Sequence, residues 1–215
     1  MDADVRLTLG GACVRLLGGR ALQLPDHRAL LIADLHLGKA DIFRRAGIAL
    51  PVGGTGNDLE RLQQLVERSG CTELWILGDI LHGPVHRAPW YQRWLAWREQ
   101  HPQLQVHVVR GNHDRDLASA AMRVQIHDTQ ASLGPFLLRH EPQPDAAAHV
   151  IAGHLHPLAS LPGISRRLPA FWLRKDVTVL PAFSGFTAGV VPRLQSGEQL
   201  VVCVDDQAMA LPVMR

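Results

Sequence analysis

Apolar and polar positions alternate along residues 4–24, "DVRLTLGGACVRLLGGRALQL", with Gly10-Gly11 and Gly18-Gly19 interrupting the alternation. That period of two, broken by paired glycines, predicts hairpin strands. The texture then shifts. A continuous apolar run, Ala29 to Ala33, predicts a buried strand, and "KADIFRRAG" (39–47) has short helical character. "GNDLERLQQLVERSG" (56–70) carries apolar residues at helical spacing, with Asn57 or Asp58 near its start and Gly70 at its end. "ELWILGD" (73–79) predicts another buried strand. "APWYQRWLAWREQHP" (88–102) predicts a helix with Pro89 near its start and Pro102 stopping it, followed by the strand "VHVVRGNHD" (106–114). Strands alternating with helices imply a largely parallel sheet. From about residue 124 the pattern becomes short apolar strands and turns: "VQIHD", "GPFLLRHEP", "HVIAGHLHP", "VTVLPAF", "QLVVCVDD" and "AMALPVM". Nothing repeats at a fixed period, and the Pro/Ala segment "EPQPDAAAH" is too short to separate domains. The expectation is one domain over residues 1–215, an α/β chain in which both halves build one sandwich.

Composition changes this picture at few points. Lys and Arg number 22 against 20 Asp and Glu, so charge says almost nothing about partners. The three cysteines, Cys13, Cys71 and Cys203, form no CxxC pair and fit reduced thiols, each as a small apolar filler. No apolar run approaches the roughly 18 residues that span a bilayer, and Met-Asp-Ala-Asp lacks a basic leader, so a soluble cytoplasmic protein without membrane contact is expected. Histidine is the exception: 12 of them stand against one tyrosine and five phenylalanines.

Their positions are informative. Apolar segments end in Asp34-x-His36, in "LGD" with Asp79, in "RGNHD" with Asn112 and His113, in "LLRHE" with His140, and in "AGHLH" with His154 and His156. In an extended segment residues i and i+2 share a side, so Asp34 and His36 should converge just beyond the sheet. Ligands in open α/β folds collect at the carboxyl ends of strands, where each of these clusters lies. Asp, His and one Asn oxygen suit Mn, Fe or Zn, and lack the thiolates of most structural zinc sites.

The order DxH, GD, GNH[DE], H, GHxH resembles the calcineurin-like metallophosphoesterases. "ADLHLGKADIFRRAGIALP", "DLERL", "LWILGDILHG", "GHLHP" and "LPAFSGFTAG" further resemble the DNA-ligase-associated metallophosphoesterases of bacteria, over most of the chain. The resemblance implies a metallophosphoesterase-type β-sandwich of mixed sheets flanked by helices (αββα). It implies two divalent metal ions, manganese being expected, with Fe or Zn as alternatives. Carried over by position, Asp34, His36 and His156 would bind one ion, Asn112, His140 and His154 the other, and Asp79 would bridge them. His113 would be the catalytic residue, donating a proton or hydrogen bond to the leaving group. Some family members have an acidic residue three positions after the bridging Asp to orient that histidine; here His82 stands there. Asp114 is expected to tie down its turn or cap a helix.

The resemblance also implies a DNA phosphodiester as substrate, in end processing for repair, with an ATP-dependent DNA ligase, a helicase and an exonuclease as associates. Lys39, Arg44 and Arg45 are candidates for holding phosphates, although the arginines equally suit a solvated helix face. Trp90, Trp94 and Trp97 share one helical face, the spacing of packing more often than of base stacking. Two other functions are compatible with the same motifs. A small-molecule phosphodiesterase or pyrophosphohydrolase acting on a nucleotide or lipid-sugar predicts a closed, apolar pocket, and a metal-loaded adaptor predicts weak turnover. A shallow, basic-rimmed site points to DNA.

Overall fold

The computed structural model describes residues 4–45, 47, 54–82, 89–117, 121–185 and 187–214. Strands β1 (Val5–Leu9), β2 (Ala12–Leu17), β3 (Ala21–Leu24) and β4 (Ala29–Ile32) form an antiparallel meander. Helices α1 (Lys39–Arg45) and α2 (Gly54–Ser69) follow, then β5 (Glu73–Leu77), α3 (Pro89–Gln100), β6 (Gln105–Val109) and β7 (Gln125–His127). Strands β4 to β7 pair in parallel, which completes a seven-stranded sheet in sequence order.

The second half supplies β8 (Gln130–Leu133), β9 (Phe136–Arg139), β10 (His149–Ala152), β11 (Leu158–Ala159), β12 (Leu168–Leu173), β13 (Val177–Val179), β14 (Gln199–Val204) and β15 (Gln207–Ala210). Seven of these run in the order β15-β14-β12-β13-β10-β9-β8, with β11 paired to β12. The pairings of β10 with β9 and with β13 are parallel; the other strand pairings of this sheet are antiparallel.

Alternation along the strands decides which core each side chain joins. Ala29 and Leu31 of β4 face the second sheet, packing with Leu22, Trp75, Phe136, Ile151, Phe171 and Val201, whereas Leu30 and Ile32 face Leu62, Leu65 and Trp94 of the helices. Burial on both faces explains why this segment reads as an unbroken apolar run. The sandwich of mixed sheets is therefore present. Among the described residues, no helix packs on the outer face of the second sheet. α2 and α3 both join the core on the other side of the first sheet, while the outer apolar patches of the second sheet are covered by side chains such as Leu155, Leu161, Leu194 and Leu211.

Helix α2 includes Asn57 and Asp58, and Asp58 does not cap it: its carboxylate pairs with Arg61 at 2.8 Å and accepts the Gly185 amide. Gly70, at φ +59°, closes the helix through Gly70 N–H to the Val66 carbonyl, as its sequence position suggests. β12 was hidden in the sequence by Pro169. That proline sits just before the register with β14, which begins at Ala170, so its missing N–H removes no bond there. Trp90, Trp94 and Trp97 are buried, and Trp94 donates its indole N–H to the Met122 carbonyl at 2.8 Å. They are core, not a base-stacking surface. Cys203 is buried as expected, but Cys13 is exposed and so is no core filler.

Candidate metal centre

Beyond the carboxyl ends of β4 and β5 the chain continues as two loops laced together. Asp34 N–H donates to the Gly78 carbonyl, His36 N–H to Asp79 and Leu37 N–H to Ile80, at 3.1, 2.8 and 2.8 Å. Residues 34 and 36 do converge, but not through an extended pleat. β4 ends at Ile32, and both Asp34 and His36 adopt left-handed φ values of 55° and 48°. Asp79, His154 and His156 do the same, at 49°, 70° and 49°. Each such conformation costs a non-glycine residue roughly 1 kcal/mol or more, and such strain gathers where function needs a fixed geometry. Five strained polar residues at one place mark a site.

The close approach of these loops depends on glycine. A Cβ on Gly78 (φ +82°) would fall on the His140 ring, and one on Gly111 would strike the Asp79 carboxylate.

Both carboxylates are divided in use. Asp34 Oδ2 accepts the His154 amide at 3.0 Å, leaving Oδ1 toward His156 Nε2 at 3.3 Å. Asp79 Oδ1 accepts the His113 amide at 2.9 Å, leaving Oδ2 toward His140 Nε2 at 3.6 Å and His113 Nε2 at 4.0 Å. One oxygen anchors each side chain, and the other faces the centre.

The imidazoles are similarly fixed. His140 Nδ1 donates to the Leu77 carbonyl at 3.1 Å, which leaves Nε2 as a lone pair, 3.0 Å from both Asn112 Oδ1 and His154 Nδ1. His156 Nδ1 donates to the Ala188 carbonyl at 2.9 Å. Burial, reinforced by the positive Lys39 and neighbouring histidines, pulls the His36 pKa down to about 2, so its ring is neutral.

Several of these atoms are buried without a partner: Asp34 Oδ1, His156 Nε2 and both ring nitrogens of His36. Orphaned buried acceptors are costly unless a cation completes them. Asp34, His36 and His156 offer ligand atoms within 4.8 Å of one another, as do Asp34, Asp79 and His140. The donor set fits divalent cations. His154 and Asn112 adjoin the second cluster through His140. All seven predicted ligand residues thus lie together, drawn from both sheets.

His113 is half-exposed at the rim, its ring 5.6 Å from His36 and 5.2 Å from His82. His82, three positions after Asp79, closes this wall edge-on to His36 at 5.1 Å. Burial first, then Lys39 and His113, lowers its pKa to about 4. Asp114 is fully buried and ties two loops together, accepting from Leu81 N–H at 3.0 Å and Gly111 N–H at 2.9 Å.

Lys39 opens α1 within electrostatic reach of Asp34 and Asp79, whose charges oppose the lowering of its pKa by burial. Arg44 pairs with Asp41 along the helix and is not gathered into the cluster. The Arg45 side chain lies outside the described residues, as does Phe186 of "LPAFSGFTAG".

A supporting clamp carries no signal in the sequence. Phe183 N–H and Ser184 N–H donate to the carbonyls of Ala33 and Asp34, and Arg20 reaches the carbonyls of Ala182, Phe183 and Ser184. Arg61 also binds the Phe183 carbonyl, and Asp58 the Gly185 amide. These residues are far apart in the chain, and no local motif joins them.

Two open grooves flank the centre. One, of about 490 Å³, includes His156, Arg20, Arg61, Arg166, Arg167 and Thr187; the other, of about 460 Å³, includes Asn112, His140, Arg110 and Arg139. Neither is a lidded apolar pocket.

The model of the calcineurin-like phosphoesterase family matches residues 27–187. The crystal structure of Pseudomonas putida nuclease MPE is similar over 96% of this chain and 100% of that one, at 37% identity and a TM-score of 0.83. A phosphoesterase from E. coli, Yfce, matches at 18% identity and a TM-score of 0.47, over 87% of this chain and 99% of that one. A protein of unknown function from Aquifex aeolicus matches at 21% and 0.44, over 60% and 78%. No curated protein matches the chain.

Proposed function

This chain belongs to the calcineurin-like phosphoesterase family, and on that premise we propose that it is a two-metal-dependent nuclease hydrolysing DNA phosphodiesters. The observation that carries this reading is the pair of carboxylates, each with one oxygen anchored and the other turned toward the Nε2 of an imidazole whose Nδ1–H is already committed to a backbone carbonyl. In our reading Asp34, His36 and His156 would hold one cation and Asn112, His140 and His154 the other, with Asp79 placed to serve both. Bound there, two divalent ions, manganese in our assignment, supply Lewis-acid activation of water and charge stabilisation at the phosphoryl group.

The protein's own groups do the rest. The fixed Nδ1–H bonds of His140 and His156 keep their Nε2 lone pairs aimed inward. His113 donates a proton to the departing oxygen, held in place by its backbone N–H to Asp79. Lys39 steadies a non-bridging phosphate oxygen, and His82 packs against the His113 ring in place of an orienting carboxylate.

The DNA assignment rests on the likeness to a nuclease and on the open, arginine-bearing grooves. Since ligands come from both sheets, residues 1–215 act as one domain. No helix of the described residues is long and apolar enough to cross a membrane. Cytoplasmic action beside an ATP-dependent ligase, a helicase and an exonuclease completes the proposal.

The test is manganese-dependent turnover by the wild type and Asp79→Asn on nicked, blunt and 3′-blocked DNA, with bis(p-nitrophenyl) phosphate and common nucleotides in parallel. DNA cleavage lost in the variant is expected. Cleavage of the small diester with DNA untouched would replace the nuclease by a small-molecule phosphodiesterase.

A further inference from the structure

The last pair of ligand candidates, His154 and His156, leads directly into a hairpin. His156 is followed by Pro157, β11, a turn through Pro162 and Gly163 (φ +79°), and then Arg166, Arg167 and β12. The base of this hairpin is pinned to the centre: Leu158 pairs with Pro169 and Ala159 with Leu168, while Ala170 N–H donates to the Pro157 carbonyl at 2.9 Å. Arg166 and Arg167 are thereby carried back to the groove that contains His156.

The two flanking grooves differ in which cations are available. In the groove beside Asn112, Arg110 pairs with Asp128 at 3.4 Å and Arg139 with Asp145 at 3.0 Å. In the groove beside His156, Arg20 and Arg61 are committed to the 182–184 carbonyls and to Asp58. Arg166 and Arg167 are exposed and make no hydrogen bond or ion pair among the described residues. Asp205 and Asp206 line the same groove without engaging either arginine. A neighbouring hydroxyl, Thr187 Oγ1, is buried and also unpartnered.

Free guanidinium groups beside a centre that binds one phosphate have nothing to hold in a small diester, whose only phosphate lies at the metals. They fit a ligand with further phosphates spaced along a chain. Resting on the nuclease reading above, we propose that the β11–β12 hairpin is a backbone clamp. Arg166 and Arg167, helped by the Thr187 hydroxyl, bind the phosphates that flank the scissile one, so the polynucleotide leaves the centre on the His156 side.

The test separates binding from cleavage. A fluorescein-labelled single-stranded oligonucleotide is titrated in EDTA over a salt series with wild type, Arg166→Ala/Arg167→Ala and Arg166→Lys/Arg167→Lys. Manganese-dependent turnover of DNA and of bis(p-nitrophenyl) phosphate is measured alongside. The alanine pair should weaken binding about ten-fold or more and reduce the log–log salt slope by about 1.4, two phosphate contacts at roughly 0.7 each. Its ratio of DNA to small-diester turnover should fall in step, and the lysine pair should retain most of both. Asp205→Asn/Asp206→Asn should tighten binding, because it removes repulsion of phosphate.

Equal binding by wild type and the alanine pair, with DNA still cleaved, overturns the clamp alone. A parallel fall in DNA and small-diester turnover also overturns it, since that reports damage to His156. Wild type that turns over the small diester yet neither binds nor cleaves DNA overturns the nuclease reading and the clamp together.

Discussion

At the scale of single residues, the centre combines strain with incomplete hydrogen bonding. Left-handed backbone at Asp34, His36, Asp79, His154 and His156 turns side chains of adjoining loops toward one point, while buried acceptors such as Asp34 Oδ1 go unanswered. His113 makes a different contribution: its ring is half-exposed while its amide donates to Asp79, so removing the ring should leave the candidate ligands in place. His113→Ala should lower kcat on DNA by about 10²- to 10⁴-fold with manganese content unchanged by atomic emission; loss of the metal would instead make His113 a ligand. Away from the centre, His107 is stacked 4.1 Å from Trp75, with its Nδ1 3.2 Å from His127 Nε2. Burial, and secondarily His127, lowers its pKa below the ordinary 6.5, with Glu73 acting in the opposite direction. The unfolded chain therefore takes up a proton below about pH 6.5 that the folded chain resists, so stability falls as pH drops through that window. Urea unfolding between pH 7 and 5 should show a shallower pH dependence in His107→Gln than in wild type.

At the scale of elements, the loops of the centre are held from behind, on one side by apolar packing and on the other by charged side chains. α3 packs Trp90, Trp94 and Trp97 into the helix-side core, and Trp90 lies so close to Gly38 that a Cβ there would strike its indole. Trp94→Ala would remove a fully buried ring and strand the Met122 carbonyl, at a cost of about 3–5 kcal/mol, readable as a lower urea midpoint. The 182–185 segment is held from the other side by Arg20, Arg61 and Asp58, and its amides in turn fix the Ala33 and Asp34 carbonyls. Asp58→Asn should weaken this support by disturbing the Arg61 pair, lowering manganese affinity without touching a ligand. Metal titration by calorimetry checks this, and unchanged affinity would confine Asp58 to packing. The elements themselves were mostly legible, because β4, β5, α2 and α3 announce themselves by unbroken apolar runs or helical spacing. β8 and β12 were not: one is a half-exposed edge strand with mixed residues, the other carries Pro169 as its second residue.

At the scale of the whole molecule, the centre joins the two sheets. Asp34, His36, Asp79 and Asn112 follow strands of the first, and His140, His154 and His156 follow strands of the second. A cation held between them favours the folded state by mass action, about 2.7 kcal/mol at 100 times its dissociation constant. For a chain of this size that is roughly 5–10 °C in Tm, so manganese should raise the melting temperature, EDTA should reverse the gain, and Asp79→Asn should abolish it. By itself the sequence determined the candidate ligands and their order, because metal chemistry demands particular atoms and each stands at the end of an apolar run that must become a buried strand. The family's mixed-sheet sandwich was legible for the same reason. Only the tertiary structure decided how those ligands converge, through left-handed loops and not an extended pleat, and that the described helices cover one sheet. It also decided which arginines are free: Arg20 and Arg61 are consumed by carbonyls of a segment more than a hundred residues away, whereas Arg166 and Arg167 are not. Hydrogen-bond commitment between distant segments leaves no local trace in a sequence, since it depends on contacts that exist only once the two sheets have closed.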